Sequence, residues 1–184
     1  YANGEVTIND EVTITSINPK LQYVVKGTVM DKSTGEALLV NGKQITANVN
    51  IPTEDLKIVT SDNNASTITV PVEYTFDATG LKGKDVVIYE YLYVAGSDKV
   101  IASHEDITDM NQTIHFPSLK TKVVNDATET NMCSLEGITN ITDTVTYAGL
   151  LAGEYTMKGK IYDPLTNKPL LIDGKEVTGE TNFT

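Results

Sequence analysis

The sequence contains no tryptophan, no arginine, two histidines and one cysteine. Without arginine it lacks the planar cation that usually clamps phosphates and carboxylates. Its net charge of -11 argues against binding to nucleic acid and to anionic membrane surfaces, because both favour basic patches. A lone Cys133 gives no disulfide framework. No apolar run is long enough to span a membrane. The sequence therefore predicts neither nucleic acid nor direct membrane contact as a partner.

The sequence also lacks the common motifs of enzymes. It has no nucleotide-binding loop, no cluster of His and Cys with metal-ligand spacing and no nucleophile elbow. Asp106 and Asp109 are too sparse for a calcium loop. We therefore expect no cofactor, no metal site and no catalytic turnover. A secreted hydrolase would have only the region around His104 in its favour.

Short strands separated by turn residues recur along the sequence. Asp85–Tyr93 is the most apolar and is predicted to be central, whereas Pro71 indicates an edge or a bulge. Asn-Gly within Val40–Lys43 predicts a hairpin, and 57–64 is a predicted polar loop. No segment shows a sustained helical period, so we predict an all-β, immunoglobulin-like β-sandwich. The predicted strands are Val6–Ile8, Val12–Ile14, Tyr23–Met30, Gln44–Ile51, Ser66–Phe76, Asp85–Tyr93, Lys99–Ser103 and Asn111–Phe116.

The chain also repeats itself at a spacing of 132 to 133 residues. Self-similarity at a fixed period indicates an array, and this period has the length of a whole domain. We predict two sandwich domains in tandem, with a very short linker at Pro117. The first covers 1–116 and lacks its first strand; the second, 117–184, is the N-terminal part of another repeat and is incomplete. The matching segments are Gly4–Thr13 with Gly137–Thr146, Tyr23–Asp31 with Tyr155–Asp163, and Ala37–Lys43 with Pro169–Lys175.

Glu90 lies inside the most apolar predicted strand. Strand alternation places it on one face with Val86, Ile88 and Leu92. A carboxylate in an apolar environment is costly unless it is paired or protonated. If that face is the core, Glu90 points into it, and in the opposite register it lies at the rim. Spacing alone leaves both arrangements open.

Two longer segments point to a known family. Thr79–Tyr93 and His104–Thr113 closely resemble the VaFE repeat of Gram-positive surface proteins. Lys26–Glu36 and Asp143–Tyr147 fit the same family. Such modules resemble the adhesin stalk domains in which a threonine and a glutamine side chain form an internal ester bond.

The resemblance implies a role for each polar residue of the first copy. Gln112 is implied as the acyl donor, His104 as the general base, and Glu90 with Asp31 as an acid pair. The chemistry is consistent in itself: a threonine hydroxyl attacks the carboxamide, and ammonia leaves. A protonated acid in an apolar site can stabilise the oxyanion, and two close carboxyls retain one proton between them.

In the second copy, the resemblance implies Thr121 as the first-strand threonine and Asp163 as the counterpart of Asp31. Leu119, Thr121 and Val123 alternate on one face, as an inward threonine requires. The first copy has no such threonine before it, and the second lacks the later glutamate, histidine and glutamine. Neither copy is therefore expected to close the bond within itself.

We expect from this resemblance a stalk segment of a cell-surface adhesin or pilus-like fibre, extracellular and anchored to the cell wall of a Gram-positive bacterium. Its crosslink would form once, by autocatalysis. Its partners would be adjacent repeats and, through a distal tip, a host surface protein or glycan. One alternative is a host-ligand-binding adhesin module, with Tyr89, Tyr91 and Tyr93 as an aromatic patch. Another is a strand-exchanging filament subunit, in which one molecule's strand completes the sandwich of the next.

Overall fold

Strands dominate the computed structural model, which describes residues 4–18, 20–51, 66–134 and 136–184. The predicted loop over 57–64 lies outside these ranges. The chain forms two compact units, Tyr1–Gly149 and Leu150–Thr184. Across the described ranges, no helix is long and apolar enough to cross a membrane. The strands described in the first unit are β1 (Glu5–Ile17), β2 (Tyr23–Asp31), β3 (Glu36–Ala37), β4 (Leu39–Val40), β5 (Lys43–Gln44), β6 (Thr46–Ile51), β7 (Ser66–Asp77), β8 (Asp85–Val94), β9 (Val100–His104), β10 (Thr113–His115), β11 (Ser118–Asn125) and β12 (Ile141–Ala148).

Two sheets of the first unit enclose its core. The smaller sheet pairs β1 with β7 along almost their whole length. The larger sheet is built on the central pair β2 and β8, with β3 and β6 beside β2 and with β9 and β10 beside β8. The central position predicted for Asp85–Tyr93 is confirmed. Two further pairs, β4 with β5 and β11 with β12, complete the unit among the described residues.

The alternation of side chains explains why the two sheets face each other. Every second residue of β2 is buried from Tyr23 to Asp31. Apolar side chains from both sheets form one cluster, so that the all-β sandwich prediction is confirmed. This burial is the main favourable contribution to folding. The buried residues of this cluster are Ile8, Ile14, Ile17, Tyr23, Val25, Val29, Leu38, Ile51, Val70, Val72, Tyr74, Phe76, Ala78, Leu81, Val86, Ile88, Leu92 and Phe116.

One strand is longer than the sequence pattern predicts. The segments Val6–Ile8 and Val12–Ile14 are parts of the single 13-residue strand β1, because the polar residues between them continue the alternation. Asp10 takes the inward position in that polar stretch. β7 pairs with β1 across it, with Pro71 opposite Glu11. Pro71 therefore lies in a two-stranded sheet, where a missing N–H donor is tolerated.

The second unit reproduces part of the first. Its strands are β13 (Tyr155–Lys160), β14 (Tyr162–Asp163), β15 (Lys168–Pro169), β16 (Leu171–Ile172), β17 (Lys175–Glu176) and β18 (Thr178–Phe183). The pair β13 and β18 corresponds in sequence to β2 and β6. The hairpins β4–β5 and β16–β17 also correspond, and both turn through two residues of positive φ, Asn41-Gly42 and Asp173-Gly174.

Candidate functional site

Glu90 lies on the inner face of the larger sheet among hydrophobic neighbours. The residue is 5% exposed, and Ile88 and Leu92 flank it on the same face of β8. It pairs with Gly27 on β2, which carries no side chain that could cover it. Burial, followed by a hydrogen bond and charge repulsion from Asp10 and the charge of Asp109, raises the pKa of Glu90 to about 9. Glu90 therefore retains its proton at neutral pH.

Asp10 approaches Glu90 from the opposite sheet. It occupies an inward position of β1, between Ile8 and Val12. Asp10 Oδ2 and Glu90 Oε1 are buried oxygens without a hydrogen-bond partner among the described residues. One proton shared by the two carboxyls makes one of them a donor and the other an acceptor, and lone pairs remain free for a further hydrogen bond. Asp10 and Glu90 are therefore the acid pair of the site.

His104 lies at the edge of this pair. It ends β9 opposite Glu90 in the strand register. Its Nδ1 lies 3.7 Å from Glu90 Oε2, and its Nε2 lies 3.2 Å from Asp109 Oδ2. The loop that carries Asp109 is held by Asn111 N, which donates to Asp109 Oδ1 at 2.8 Å. The imidazole therefore connects the buried acid pair to a fixed carboxylate at the surface.

Gln112 completes the cluster from the loop before β10. Its Nε2 donates to Asp10 Oδ1 at 3.4 Å, and the residue is half-buried. Its backbone carbonyl accepts a hydrogen bond from Ile88 N at 3.4 Å, which ties the loop to the first half of β8. The carboxamide thus contacts Asp10 of the acid pair, and His104 lies beside Glu90. The structure brings together three residues that the sequence predicts: Glu90, His104 and Gln112.

This arrangement suits acyl transfer from a carboxamide. A neutral Glu90 can donate a hydrogen bond to the oxyanion of a tetrahedral intermediate. His104 can accept a proton from an attacking hydroxyl and return it to the leaving amine. Over the described ranges, no group of three or more His, Cys, Asp or Glu residues could hold a metal ion.

The family described as TQ, T-Q ester bond containing domain, matches residues 1–116 and residues 117–184. The chain belongs to this family. The resemblance to Thr–Gln ester domains is thereby confirmed. T-Q domains form a crosslink within the protein itself, so the chain is a structural protein and not an enzyme.

The fold of these T-Q domains is also found in a solved structure. A bacterial adhesin from Mobiluncus mulieris, described as containing intramolecular disulfide, isopeptide and ester bond crosslinks, is similar with a TM-score of 0.51 and 14% identity. The alignment covers 98% of this chain and 84% of that chain. A second crystal form gives 0.49 and 15%, covering 98% and 85%. A comparison with curated proteins gives no match.

In the second T-Q segment, the strand register places Thr121 relative to Asp143, the counterpart of Asp10. In the β11–β12 pair, Thr121 is opposite Val145, and Val123 is opposite Asp143. Thr121 and Asp143 are therefore diagonal neighbours on one face. Asp143 corresponds to Asp10 in the repeat, and that correspondence, at an inward position of an apolar strand, is the sequence signal that identifies Asp10. In this structure Thr121 is exposed.

Asp31 does not belong to the acid pair, which corrects the sequence prediction. It is buried, but it pairs with Val86, four residues along β8 from Glu90. At a strand rise of about 3.3 Å per residue, this places them roughly 13 Å apart. Its Oδ2 accepts from Lys84 Nζ at 2.6 Å, and its Oδ1 accepts from Ser33 N at 3.0 Å. Asp31 therefore closes a turn and forms an ion pair.

Asp163 has the same turn-closing role in the second unit. Its Oδ1 accepts from Leu165 N at 2.9 Å, and its Oδ2 accepts from Thr166 Oγ1 at 2.9 Å. These hydrogen bonds lower the pKa of Asp163. The similarity of Asp31 and Asp163 in the repeat thus reflects a shared turn, and the implied catalytic role of Asp163 is corrected with that of Asp31.

We expect Asp31→Ala to lower the free energy of unfolding by about 1–2 kcal/mol at neutral pH, because Ser33 and Lys84 lose a charged acceptor. Hydrogen bonds from Lys84 and Ser33 lower the pKa of Asp31 below its usual 3.8. Its stabilising effect is therefore present above pH 3.8 and is lost as the pH falls through the lower, folded-state pKa. Urea unfolding at a series of acidic pH values measures this loss.

The variant Lys84→Met distinguishes the contribution of the ion pair to stability from that of the turn. Because Lys84 is 44% exposed, its removal should cost less than about 1 kcal/mol. In this variant the loss of stability at acidic pH should also occur at a higher pH, while the hydrogen bonds from Ser33 persist. Equal stability of Asp31→Ala and the wild type at neutral pH would contradict this role.

Proposed function

We propose that the chain is a stalk segment of a bacterial cell-surface adhesin or pilus-like fibre, in which each repeat is tied by a Thr–Gln ester bond. One observation carries the proposal: the Gln112 carboxamide contacts a buried acid pair that also lies beside His104. The threonine would come from a strand paired to the free edge of β1, as β11 pairs with β12. In that register a threonine aligned with Thr121 lies opposite Val12 and diagonal to Asp10.

The reaction uses the groups of the cluster once. The threonine Oγ forms a bond to Gln112 Cδ while its proton passes to His104. Glu90 donates a hydrogen bond to the oxygen that becomes negative, and Asp10 retains the negative charge of the pair. The carbon–nitrogen bond then breaks as His104 returns the proton to the amine, and ammonia leaves. The product is an ester, and the chain is lighter by one ammonia.

A mechanical role agrees with the composition of the chain. Its single cysteine offers no disulfide framework, and a β-sandwich outside the cell needs another covalent restraint against force and proteases. An ester between two strands far apart in sequence supplies it. The solved structure of similar fold is an adhesin with ester crosslinks, which supports an extracellular location. We extend this to the cell wall of a Gram-positive bacterium, with adjacent repeats as partners and a host protein or glycan bound at a distal tip.

A direct test supplies the first copy with a leading strand from its own sequence. Residues 117–136, which precede Gly137 in the second repeat, are placed directly before Gly4. We expect the extended chain to be lighter by one ammonia than its composition, because Gln112 then meets a threonine in register. Intact mass spectrometry after denaturation measures this loss.

Two variants of the extended chain should keep the full mass: Gln112→Ala, and valine in place of the added copy of Thr121. Gln44→Ala, which changes an exposed glutamine of β5, is the matched control and should still lose ammonia. An extended chain that folds but retains its unmodified mass would refute the proposal.

A strand-exchanging filament is the second candidate, and the edge of β1 favours it. Among the described residues β1 pairs only with β7, which leaves its other edge able to accept a strand. Insertion of β11 from a second copy would bring Thr121 to Gln112 and would link two molecules. The mass experiment separates the candidates, because exchange gives covalent dimers and longer species.

The host-ligand-binding alternative has weaker support. Tyr89, Tyr91 and Tyr93 are half-buried, so they do not form an exposed aromatic patch. The ammonium of Lys26 lies 4.4 Å from the centre of the Tyr93 ring and covers it.

A further inference from the structure

Tyr74 is a buried tyrosine whose hydroxyl has no hydrogen-bond partner among the described residues. It lies on the inner face of β7 and is 1% exposed. A phenol hydroxyl in a core normally finds a partner, because a buried polar group without one has lost its hydrogen bonds to water and gained none in return. The acceptors missing a partner in the same core are oxygens of Asp10 and Glu90. A donor and two acceptors without partners thus occur together.

The strand register places Tyr74 beside the acid pair. Tyr74 is opposite Ile8 on β1, and its inner-face neighbour Val72 is opposite Asp10. Tyr74 and Asp10 are therefore diagonal neighbours on one sheet. The ring then crosses the core to Gly27, which pairs with Glu90 on the other sheet. The hydroxyl therefore lies against β2 at the residue that pairs with Glu90.

Gly27 leaves the space that Tyr74 occupies. A Cβ at position 27 would overlap the hydroxyl oxygen of Tyr74 and would lie 2.7 Å from its Cζ. The equivalent residue of the second repeat, Gly159, is also glycine. Burial, followed by the charges of Glu90 and Asp10, raises the pKa of Tyr74, so the hydroxyl stays a neutral donor.

We propose that Tyr74 is a positioning residue of the ester site, whose hydroxyl, unpaired in this structure, donates a hydrogen bond in solution to the Asp10–Glu90 pair and holds the pair against Gln112. The inference rests on the proposed ester chemistry for its role, but the hydrogen bond itself is independent of any reaction. The titratable groups that face the pair are Tyr74 from β7, His104 from β9 and Asp109 from the loop before β10. Tyr74 is a donor that remains neutral at the pH at which Glu90 ionises.

The test is Tyr74→Phe, which removes the hydroxyl and keeps the ring. Carbon-13 NMR of the glutamate carboxyls in the 184-residue chain follows the ionisation of Glu90. A hydrogen bond from Tyr74 favours the ionised form, so its loss should raise the midpoint by about one to two pH units. Tyr23→Phe is the matched control: its hydroxyl accepts from Asn18 N at 3.0 Å, and its loss should leave the midpoint unchanged.

The extended chain allows a second measurement, the rate at which ammonia is lost. Tyr74→Phe should slow the loss of ammonia, and the pH profile of the rate should shift upward with the Glu90 midpoint. If Tyr74 had only a structural role, Tyr74→Phe would lower stability without changing the Glu90 midpoint or the pH profile of the rate. An unchanged Glu90 midpoint overturns the inference even if the ester forms. A raised midpoint without any loss of ammonia in the wild-type extended chain supports the hydrogen bond and refutes the ester function.

Discussion

Replacing Glu90 with glutamine is expected to abolish most of the loss of stability that the wild-type chain shows as the pH rises from 4.5 to about 9. In the unfolded chain this carboxyl ionises near 4.5, whereas in the sandwich it retains its proton to about 9. Between these values the folded state binds more protons, so stability falls with rising pH. The slope is at most about 1.4 kcal/mol per pH unit. Glutamine has almost the same shape and does not ionise.

Urea unfolding at several pH values, followed by tyrosine fluorescence, tests this expectation. The difference between Glu90→Gln and the wild type should grow by about 2–3 kcal/mol from about pH 6 to pH 8. Glu73→Gln is the matched control, since Glu73 is exposed and adjoins Tyr74 in β7. Its stability should change with pH as that of the wild type does. Parallel curves for the wild type and Glu90→Gln would mean that Glu90 is ionised in the folded chain.

Gly27→Ala is expected to lower the free energy of unfolding by about 1–3 kcal/mol, the usual cost of overpacking a core. In a strand, alanine is otherwise about 0.5–1 kcal/mol more favourable than glycine. A loss of stability, rather than a gain, therefore indicates overpacking. The loss arises because the added methyl meets the ring and hydroxyl of Tyr74, which must move from its place beside Glu90.

Gly159→Ala provides the control from the second repeat. A Cβ at Gly159 meets nothing within 4 Å among the described residues, so this change should leave stability unaltered or slightly higher. Tyr74→Leu, which removes the ring, should reduce the cost of Gly27→Ala, since changes at contacting residues are not additive. If Gly27→Ala costs the same with and without the Tyr74 ring, the close approach is not the cause.

The strands and one turn of this fold could be predicted from local pattern. The alternation of Tyr23–Met30, the apolar run of Asp85–Tyr93 and the Asn-Gly hairpin each record a local preference. The length of β1 could not, because Asn9, Asp10 and Glu11 are polar and their pairing with β7 joins residues 60 to 64 positions apart. An alternation with a period of two residues shows which side chains of a strand share a face, but it does not show which strand pairs with it.

The same distinction, between local pattern and long-range pairing, applies to the residues of the site. The resemblance pointed to Glu90, His104 and Gln112 because those residues lie in recognisable segments. It failed for Asp31, because local sequence does not show which residue of a neighbouring strand a given aspartate lies opposite. Only the register shows that Asp31 is four residues from the position opposite Glu90. Tyr74 carries no local signal, since its role depends on the absence of a side chain on the other sheet.

The acid pair joins one carboxyl from each sheet, and this has a consequence for when the bond can form. Before the sheets meet, Glu90 is an ordinary hydrated carboxylate that cannot donate a hydrogen bond, and Gln112 is no more reactive than any other amide. The reactive state is a product of folding, so a polypeptide that is still extended during export has no means of sealing itself in a wrong register. Each ester can therefore form only after its own domain has reached the native structure.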